Sequence, residues 1–498
     1  MKTPSLLLLL SFATATACAS SDRELSSAAR EQAQARPNII LISADDLGWG
    51  ELGCYGQEWI KTPAVDRLAR EGMRFLDFYS GAPVCAPARA MLMTGKHSGQ
   101  SFVRDNGNPG ERGKPRPEEL HFPGQFPLPD AEVTLAEALQ SEGYTTAGYG
   151  KWGLGFEESS GDPLLQGFDH FGGYLCQVHA HNHHPRFLWL DGEKQMLEGN
   201  ERGATGAVHS QDWFVDRALE FVRDQDESDD PFFLYLPFAV PHLAIQANQD
   251  IVDEYAALIP EEDHKHRGYI KHPTPRAGYA AMITQMDRGI GALMELLEEL
   301  NLADDTIVIF TSDNGPTYDR LGGSDSVFFE SAGPFRGYKG DVLEGGIRVP
   351  LVVRWPGRIA ADSTSNLPSA WWDLFPTLAD LAGAQTPEAC NGISFAPTLL
   401  AKGQQTQREA LYWEFPAYGG QLALRLGSWK LVRHNLKKDA AKWTLELYNL
   451  DEDPGEANNV AEANPEIVDR LLAQAAEERV PSDIFPFPAL DSGAGFQR

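Results

Sequence analysis

The sequence predicts a large α/β domain with a mostly parallel central sheet, followed by a small C-terminal α+β domain with an antiparallel sheet. Over roughly the first three quarters of the 498 residues, short apolar runs alternate with segments of helical periodicity. Beyond residue 407 the pattern changes to short strand-like pieces and a single helix. Hydrophobic residues make up 42% of the chain, which is enough for a large packed core.

The elements of both domains can be predicted in order along the chain. Buried strands are predicted at Asn38–Ser43, Tyr144–Tyr149, Phe232–Phe238 and Thr306–Thr311, and helices at Ala64–Glu71, Leu135–Glu142, Asp212–Arg223, Tyr279–Leu300 and Trp371–Ala382. The C-terminal pieces Leu411–Glu414, Gln421–Leu426, Trp429–Arg433 and Glu446–Leu450 favour strands, and Pro465–Glu477 favours a helix. We therefore place a catalytic domain at 37–407 and a C-terminal subdomain at 408–498.

The N-terminus has the pattern of an export signal. A positive charge at Lys2 precedes the apolar stretch Leu6–Ala17, which is too short to span a membrane, and small residues follow it. Residues 1–18 are therefore predicted to be a signal peptide, and the polar segment 19–36 a flexible tether. Because Cys18 follows Ala-Thr-Ala, this is either a lipoprotein processing site that leaves a lipid anchor or an ordinary cleavage site. The expected location is periplasmic, cell-surface or secreted.

Charge and cysteine usage exclude several classes of protein. The 42 Lys and Arg against 71 Asp and Glu give a net charge of −29, so a broad basic surface for nucleic acid is not expected. Four cysteines remain beyond Cys18, and they are too scattered for a disulfide framework or a zinc site. Cys54, Cys176 and Cys390 are expected to be small buried residues or to include one incidental disulfide. At least one of the four is expected to have another role.

Polar side chains follow the predicted parallel strands where ligands collect, outside the carboxyl ends. Asp45 and Asp46 follow the first strand, and Asp313-Asn314 follows Thr306–Thr311. Their oxygens suit a hard cation such as calcium. Lys151 and His242 follow two further strands. Any one of these residues alone is more often a turn or a helix cap, and only their joint placement points to a site.

A candidate nucleophile lies in the segment PVCAPARAMLMTG. Pro87 is favoured in the first turn of a helix, so Cys85 should lie at or next to the N-cap, with Arg89 about one turn further on. An anion at Cys85 would then meet free N–H groups, the positive helix end and a guanidinium. The alternative is a buried structural cysteine with Arg89 in a surface ion pair.

Together these segments resemble the formylglycine-dependent sulfatases. The pattern Cys85-x-Pro87-x-Arg89 followed by Thr94-Gly95 is similar to the signature of that family, in which the cysteine is oxidised to an aldehyde. The resemblance extends over nearly the whole chain through segments that occur in the family's order. They are Pro37–Gly48, Gly150-Lys151-Trp152, Pro241-His242, Ser312–Gly315, Arg336–Gly340, Glu344-Gly345-Gly346, Asp373–Leu378 and Tyr448-Asn449-Leu450.

The resemblance implies an alkaline-phosphatase-like α/β domain, one calcium ion and hydrolysis of sulfate esters. A formylglycine-generating or anaerobic sulfatase-maturating enzyme would convert Cys85. The hydrated aldehyde would offer one hydroxyl to attack sulfur and a second whose deprotonation releases sulfate. Arg89, Lys151 and Lys339 would hold the sulfate oxygens, and His242 would protonate the leaving oxygen. The implied calcium ligands are Asp45, Asp46, Cys85, Asp313 and Asn314.

One position departs from the family pattern. The family usually has Gly-Lys-Trp-His-Leu-Gly, and its histidine is assigned to the formylglycine hydroxyls, but here Gly153 takes its place. The segment His179–His184 offers replacements, of which we favour His181, with a substrate-binding or surface role as the alternative.

Export and the aromatic, histidine-rich segment 172–190 favour sulfated polysaccharides or oligosaccharides as substrates. Candidate sugar contacts are Lys96, His97, Arg104 and Arg186, each with a solvated surface role as its alternative. Two other functions remain open. One is a phosphodiesterase or phosphonate monoester hydrolase on the same fold, and the other is a non-catalytic, tethered glycan-binding protein. The net charge further predicts a small positive pocket in a negative surface, and polymer hydrolysis that increases at moderate salt.

Overall fold

The computed structural model describes residues 36–107, 126–226, 228, 230–263 and 265–498. The predicted signal peptide at 1–18, Cys18 and the predicted tether up to residue 35 lie outside these ranges. Within them, no helix has both the length and the apolar character needed to cross a bilayer. Cys54, Cys85, Cys176 and Cys390 are all free thiols, so the alternative of an incidental disulfide among them is not realised.

A ten-stranded sheet forms the centre of the large domain. Its five central strands, which begin at Thr306, Asn38, Phe232, Thr145 and His170 in spatial order, are parallel, and antiparallel pairs extend both sides. The strands are β1 (Asn38–Asp45), β2 (Met73–Phe75), β4 (Thr145–Lys151), β5 (His170–Tyr174), β6 (Phe187–Leu190), β7 (Glu193–Met196), β8 (Phe232–Pro241), β9 (Thr306–Ser312), β10 (Leu351–Arg354) and β11 (Ser363–Ser365). A two-stranded sheet pairs β3 (Phe78–Tyr79) with β12 (Ser369–Ala370).

Helices cover both faces of this sheet, because β1 is apolar on both sides. Ile40 and Ile42 belong to the core that includes α1 (Pro63–Glu71), α4 (Ser210–Gln225), α5 (Gln249–Ala256) and α6 (Pro275–Glu299). Ile39 and Leu41 belong to the core that includes α2 (Cys85–Thr94), α3 (Leu135–Gln140), α8 (Leu374–Ala382) and α9 (Ala396–Leu399). A one-turn helix, α7 (Glu344–Ile347), precedes β10. Burial on both faces is what a parallel sheet requires.

The C-terminal domain is a four-stranded antiparallel sheet with helices on one face. Its strands are β13 (Leu411–Phe415), β14 (Gln421–Leu426), β15 (Trp429–His434) and β16 (Thr444–Asn449), and its helices are α10 (Pro465–Glu477) and α11 (Pro488–Asp491). Leu422, Leu424 and Leu431 pack in one cluster with α10. Trp413 and Val432 belong instead to the cluster that contains Tyr79 and Ile347 of the large domain. The sheet therefore joins the two domains.

The predicted fold class is confirmed: a large, mostly parallel α/β domain is followed by an α+β domain with an antiparallel sheet. The predicted segment Trp371–Ala382 divides into a 3₁₀ turn, Trp371–Asp373, and α8. The sequence analysis did not predict β2, β10 or β11 at one side of the sheet, nor β5–β7 at the other. These strands are short, and much of their stabilisation comes from pairing with neighbours distant in sequence.

Candidate active site

The carboxyl ends of three adjacent strands bring the predicted acidic residues together. β1 lies between β8 and β9, with Asp45 opposite Pro241 and Ala44 opposite Ser312. Residues that follow the three strands therefore share one crevice. Asp46 has a left-handed backbone (φ 65°), and its N–H donates to Asp313 Oδ1 at 3.1 Å. This turn directs two consecutive carboxylates towards the same point.

Cys85 is the first residue of α2 and is 1% exposed. Its thiol donates to Asp45 Oδ1 at 3.1 Å. One turn further on, Arg89 donates from Nε and Nη2 to Asp313 Oδ2 at 3.1 and 2.8 Å. The predicted helix start is therefore found, and the guanidinium and the thiol face the same acidic crevice. The alternative placement of Arg89 in a surface ion pair is wrong, because its side chain is also only 1% exposed.

Two lysines contact the carboxylates, each pairing with a different one. Lys151, the last residue of β4, places Nζ 2.5 Å from Asp45 Oδ2. Lys339 places Nζ 2.7 Å from Asp46 Oδ1 and 3.4 Å from Cys85 Sγ. Backbone hydrogen bonds fix the Lys339 loop, since Gly340 N–H donates to the carbonyl of Pro83 at 2.8 Å. The loop carrying Lys339 is thus tied to the segment that carries Cys85.

His242 lies beside the same carboxylates. Its Nδ1 lies 2.7 Å from the Leu243 carbonyl, which assigns the proton to Nδ1 and leaves Nε2 facing Asp46 Oδ2 at 3.7 Å. His181 stacks on this imidazole with ring centroids 4.8 Å apart and an interplanar angle of 13°. Tyr269 packs edge-on against His181 at 5.4 Å. The structure therefore places His181 beside the predicted acid.

Burial and charge set the protonation states of the site. Burial raises the pKa of Asp45, but Lys151, His242, Arg89 and Lys339 outweigh it and hold the pKa below its ordinary value. Burial, followed by the charge of Asp45, raises the pKa of Asp313 to about 6. Burial and the nearby carboxylates raise the pKa of the Cys85 thiol. Burial and the charge of Lys339 lower the pKa of His242. The free thiol is thus a weak nucleophile, and the resting imidazole is neutral.

The donor set fits a hard cation. Ligand atoms of Asp45, Asp46, Cys85 and His242 all lie within 4.8 Å of one another. Asn314 donates from Nδ2 to Asp46 Oδ1 and to the Gly315 carbonyl, both at 2.8 Å. Its Oδ1 is buried and accepts no hydrogen bond among the described residues. A buried amide oxygen without a partner is costly, and a cation beside it would satisfy it.

The four predicted sugar contacts do not form one group. Arg104 is buried, and its guanidinium donates to Glu414 Oε1 of the C-terminal sheet at 2.6 Å. His97 is also buried, with its ring against those of Trp372 and Tyr412. For these two residues, burial contradicts the alternative of a solvated surface role, and a contact with a sugar stays a prediction. Lys96 pairs with Glu132 at 2.6 Å, and the exposed Arg186 pairs with Glu201 at 3.2 Å.

Gln177 was not identified in the sequence analysis. A methyl group at Gly153 would lie 2.0 Å from Nε2 of Gln177. The Gln177 amide therefore occupies the space into which a side chain at position 153 would project. In the sequence, the only sign of this contact is the glycine at position 153, where the family usually has histidine. The contact itself depends on tertiary structure, because residues 175–177 follow β5, the strand that pairs with β4.

Comparisons with known proteins identify the class. A family model described as Sulfatase matches residues 37–384, and one described as N-sulphoglucosamine sulphohydrolase, C-terminal, matches residues 338–480. Arylsulfatase A of Homo sapiens is 33% identical over 480 residues, which cover 87% of this chain and 86% of the relative. N-acetylgalactosamine-6-sulfatase of Canis lupus familiaris is 30% identical over 474 residues, with 87% and 84% covered. The chain belongs to the sulfatase family of the alkaline phosphatase superfamily and is a sulfuric ester hydrolase.

Solved structures share the fold over most of the chain. Ps i-CgsB, also solved in complex with k-i-k-neocarrahexaose, superposes with a TM-score of 0.74 at 26% identity, covering 92% of this chain and 96% of that one. The phosphonate monoester hydrolase of Agrobacterium radiobacter has a TM-score of 0.60 at 22% identity, with 89% and 96% covered. At that identity, the second likeness concerns the fold alone.

Proposed function

We propose that the protein is an exported sulfatase that hydrolyses sulfate monoesters on sulfated carbohydrates, using one calcium ion and a formylglycine made from Cys85. The observation that carries this proposal is the identity of the donor at position 85. Asp45, Asp46, Asp313 and Asn314 offer oxygen atoms, whereas Cys85 offers a sulfur with a raised pKa. Hard cations prefer oxygen, and a protonated thiol is a poor nucleophile. Conversion of Cys85 to an aldehyde hydrate would supply an oxygen ligand for the cation and an oxygen nucleophile in place of the thiol.

The residues around position 85 suit a sulfate monoester. Lys339 contacts the Cys85 thiol, and Arg89 and Lys151 contact Asp45, which accepts from that thiol. These three positive groups would bind sulfate oxygens and stabilise charge in the transition state. Asp45, Asp46, Asp313 and Asn314 would hold the calcium ion, which would add Lewis-acid stabilisation of the same oxygens. His242 Nε2 faces the crevice and would protonate the leaving oxygen. A bound sulfate, being negative, favours the protonated imidazole that this step requires.

His181 is our candidate for the base that the family's missing histidine would supply. Burial lowers the pKa of His181, which keeps its imidazole neutral at rest. The ring is stacked on His242, whose Nε2 faces Asp46. The Gln177 amide in the space beside Gly153 cannot act as a base. We therefore assign deprotonation of the second hydroxyl to His181.

The carbohydrate substrate is supported by the named relatives and neighbours, including N-acetylgalactosamine-6-sulfatase and the oligosaccharide complex of Ps i-CgsB. Export is supported by the apolar N-terminal stretch and by Cys18, at which a lipid anchor would attach. Maturation would require a formylglycine-generating or anaerobic sulfatase-maturating enzyme, which would supply the oxidant.

The test combines intact mass with activity. Protein produced together with a maturating enzyme should have the mass of an aldehyde at Cys85 and should hydrolyse 4-nitrophenyl sulfate in preference to 4-nitrophenyl phosphate and to an aryl phosphonate monoester. Cys85→Ala should be inactive, whereas Cys54→Ala, which removes a half-buried thiol outside the site, should behave as wild type. A preference for phosphate or phosphonate would overturn the proposal in favour of those hydrolases. An unconverted and inactive Cys85 that still binds glycan would favour a binding protein.

A further inference from the structure

The hairpin loop between β13 and β14 lies against the Lys339 loop and presents an exposed tyrosine there. Tyr418 is 60% exposed. A methyl group at Gly340 would lie 2.4 Å from Tyr418 Cε2 and 2.8 Å from the Tyr318 hydroxyl. The two tyrosine rings are 6.3 Å apart. Tyr418 therefore covers the residue that directly follows Lys339.

The backbone at Tyr418 is strained. Its φ is +50°, and Gly419 and Gly420 follow with φ values of +92° and +81°. A bulky residue rarely adopts this left-handed conformation, and such strain concentrates at functional sites. A glycine at position 418 would relieve the strain. The hairpin instead keeps a large aromatic ring exposed beside the catalytic loop.

Next to Tyr418, the same hairpin contacts Lys437 and Lys438, which line a cavity. A methyl group at Gly419 would lie 3.6 Å from Lys438 Nζ, and Lys437 N–H donates to the Gly419 carbonyl at 2.8 Å. Both lysine side chains are exposed, in a chain whose net charge is −29. Lys437, Lys438 and Trp443 line a cavity of about 350 Å³, together with Leu436 and residues of the 488–494 segment. The cavity is widely open to solvent, which suits a segment of a chain lying on the surface and not an enclosed small ligand.

Aromatic rings and ammonium groups are complementary to an anionic sugar chain. The apolar faces of sugar rings pack on aromatic side chains, and sulfate or carboxylate substituents pair with lysine. We propose that Tyr418, Lys438 and the cavity beside Trp443 form a distal subsite that binds anionic sugar units next to the sulfated unit held at Cys85. The inference rests on the proposed function, because it takes the substrate to be a sulfated carbohydrate. It makes the protein selective for chains over small sulfate esters.

The experiment compares a small substrate with a chain. The substrates are 4-nitrophenyl sulfate and hexasaccharides from κ-carrageenan, chondroitin sulfate and heparin. We expect Tyr418→Ala and Trp443→Ala to lower kcat/KM about tenfold on the hexasaccharide that wild type prefers, while kcat/KM on 4-nitrophenyl sulfate changes less than about twofold. Tyr418→Phe keeps the ring and should match wild type. Lys438→Ala should also lose hexasaccharide activity, whereas Lys402→Ala, which removes an exposed lysine elsewhere, should not.

Failure of the subsite and failure of the proposed function give different results. Equal losses on both substrates, or no loss on either, would overturn the subsite while leaving a sulfatase. Wild type that hydrolyses no sulfate ester would overturn the proposed function, and calorimetric titration of the Cys85→Ala protein with the hexasaccharides then decides the subsite alone. Binding that weakens about tenfold in Tyr418→Ala would support it. Absence of binding to all three hexasaccharides would overturn it.

Discussion

The protein contains two clusters that each bring together three acidic and three basic side chains, and the two clusters place these charges differently. The catalytic cluster comprises Asp45, Asp46, Arg89, Lys151, Asp313 and Lys339. The interface cluster, between the large domain and the C-terminal sheet, comprises Asp77, Glu344, Arg348, Arg425, Lys430 and Glu456. Formal charges balance in each cluster, so the difference lies in where the charges are placed.

In the interface cluster, cations separate the carboxylates. Lys430 Nζ lies 2.8 Å from Glu344 Oε1 and 2.9 Å from Glu456 Oε1. Arg348 contacts Glu344 at 3.0 Å and Asp77 at 2.5 Å. Each positive group therefore bridges or pairs the acidic groups on either side. The acids of this cluster thus meet side-chain cations across the domain boundary, although Glu456 Oε1 accepts no hydrogen bond among the described residues beyond its ion pair with Lys430.

In the catalytic cluster, the carboxylates converge instead of being separated. Ligand atoms of Asp45 and Asp46 share a space 4.8 Å across with Cys85 and His242, and Asn314 Oδ1 beside them accepts no hydrogen bond from the described residues. Convergent acids and an unsatisfied amide oxygen are unfavourable for stability alone. The interface cluster therefore contributes to the contact between the domains, whereas the arrangement of the catalytic cluster favours binding a cation.

Removing an acid from each cluster gives the largest expected difference. We expect Asp313→Ala to lower kcat/KM on 4-nitrophenyl sulfate about 10³-fold, because it removes a proposed calcium ligand and the carboxylate to which Arg89 donates from Nε and Nη2. Bound calcium, measured by elemental analysis, should fall with activity. Asp77→Ala is the matched control: Arg425 loses its partner, so stability should fall while activity per folded molecule stays within about twofold. Equal activity losses would remove the distinction between the clusters.

Removing Lys430, which pairs with two acids of the interface cluster, tests whether that cluster stabilises the fold. Lys430→Met leaves Glu344 and Glu456 buried without their shared cation, so the free energy of unfolding should fall by about 3–5 kcal/mol. Denaturant unfolding of the purified protein measures this change. Lys442→Met, at an exposed position, serves as the control. A change under about 1 kcal/mol would show that the cluster does not stabilise the fold.

The sequence allowed more of the catalytic cluster to be predicted than of the interface cluster. Asp45, Asp313 and His242 each follow a long apolar strand, so strand prediction and parallel pairing suffice to bring them together. Lys339 lies in a loop, and only the family resemblance indicated it. Glu344 and Arg348 are neighbours on one helical turn, but the pairs that join the two domains, such as Asp77 with Arg425, are hundreds of residues apart, and no local pattern predicts them. For the same reason the structural partners of Arg104 were not foreseen.

The pH dependence of stability sharpens the comparison further. Burial raises the pKa of Glu456 from 4.5 to about 7, despite the opposing charge of Lys430. A carboxyl with a raised pKa in the folded state binds its proton more tightly there, so wild type loses stability as pH increases from about 4.5 to about 7. Glu456→Gln mimics the protonated form and avoids this loss. Relative to wild type, the variant should gain about 2 kcal/mol between pH 5 and pH 8.

Thermal or denaturant unfolding at the two pH values measures this gain, with the exposed Glu452→Gln as the control. A constant difference between variant and wild type would mean that Glu456 does not titrate in this range. A gain at low pH, in place of high pH, would reverse the assigned direction of the pKa shift.

Gln421 tests whether the two clusters communicate, because it contacts the loop in which only four residues separate Lys339 from Glu344. Gln421 of β14 donates from Nε2 to the Gly340 carbonyl at 2.6 Å and accepts the Val342 N–H at 3.2 Å. The C-terminal sheet therefore holds the loop that places Lys339 beside Cys85. Gln421→Ala should lower kcat about tenfold with little change in KM, because Lys339 would be misplaced while most contacts to the substrate remain.

Gln421→Glu keeps the acceptor for Val342 N–H and loses the donor to Gly340, so its kcat should fall between those of Gln421→Ala and wild type. A merely structural role would lower the melting temperature of Gln421→Ala while leaving kcat per folded molecule unchanged, and that result would separate the clusters. If kcat falls as expected, the C-terminal sheet does more than stabilise the contact between the two domains. Through Gln421 it sets the position of a catalytic lysine from the far side of the domain boundary, which would explain why the sheet packs directly against the loop at 336–344.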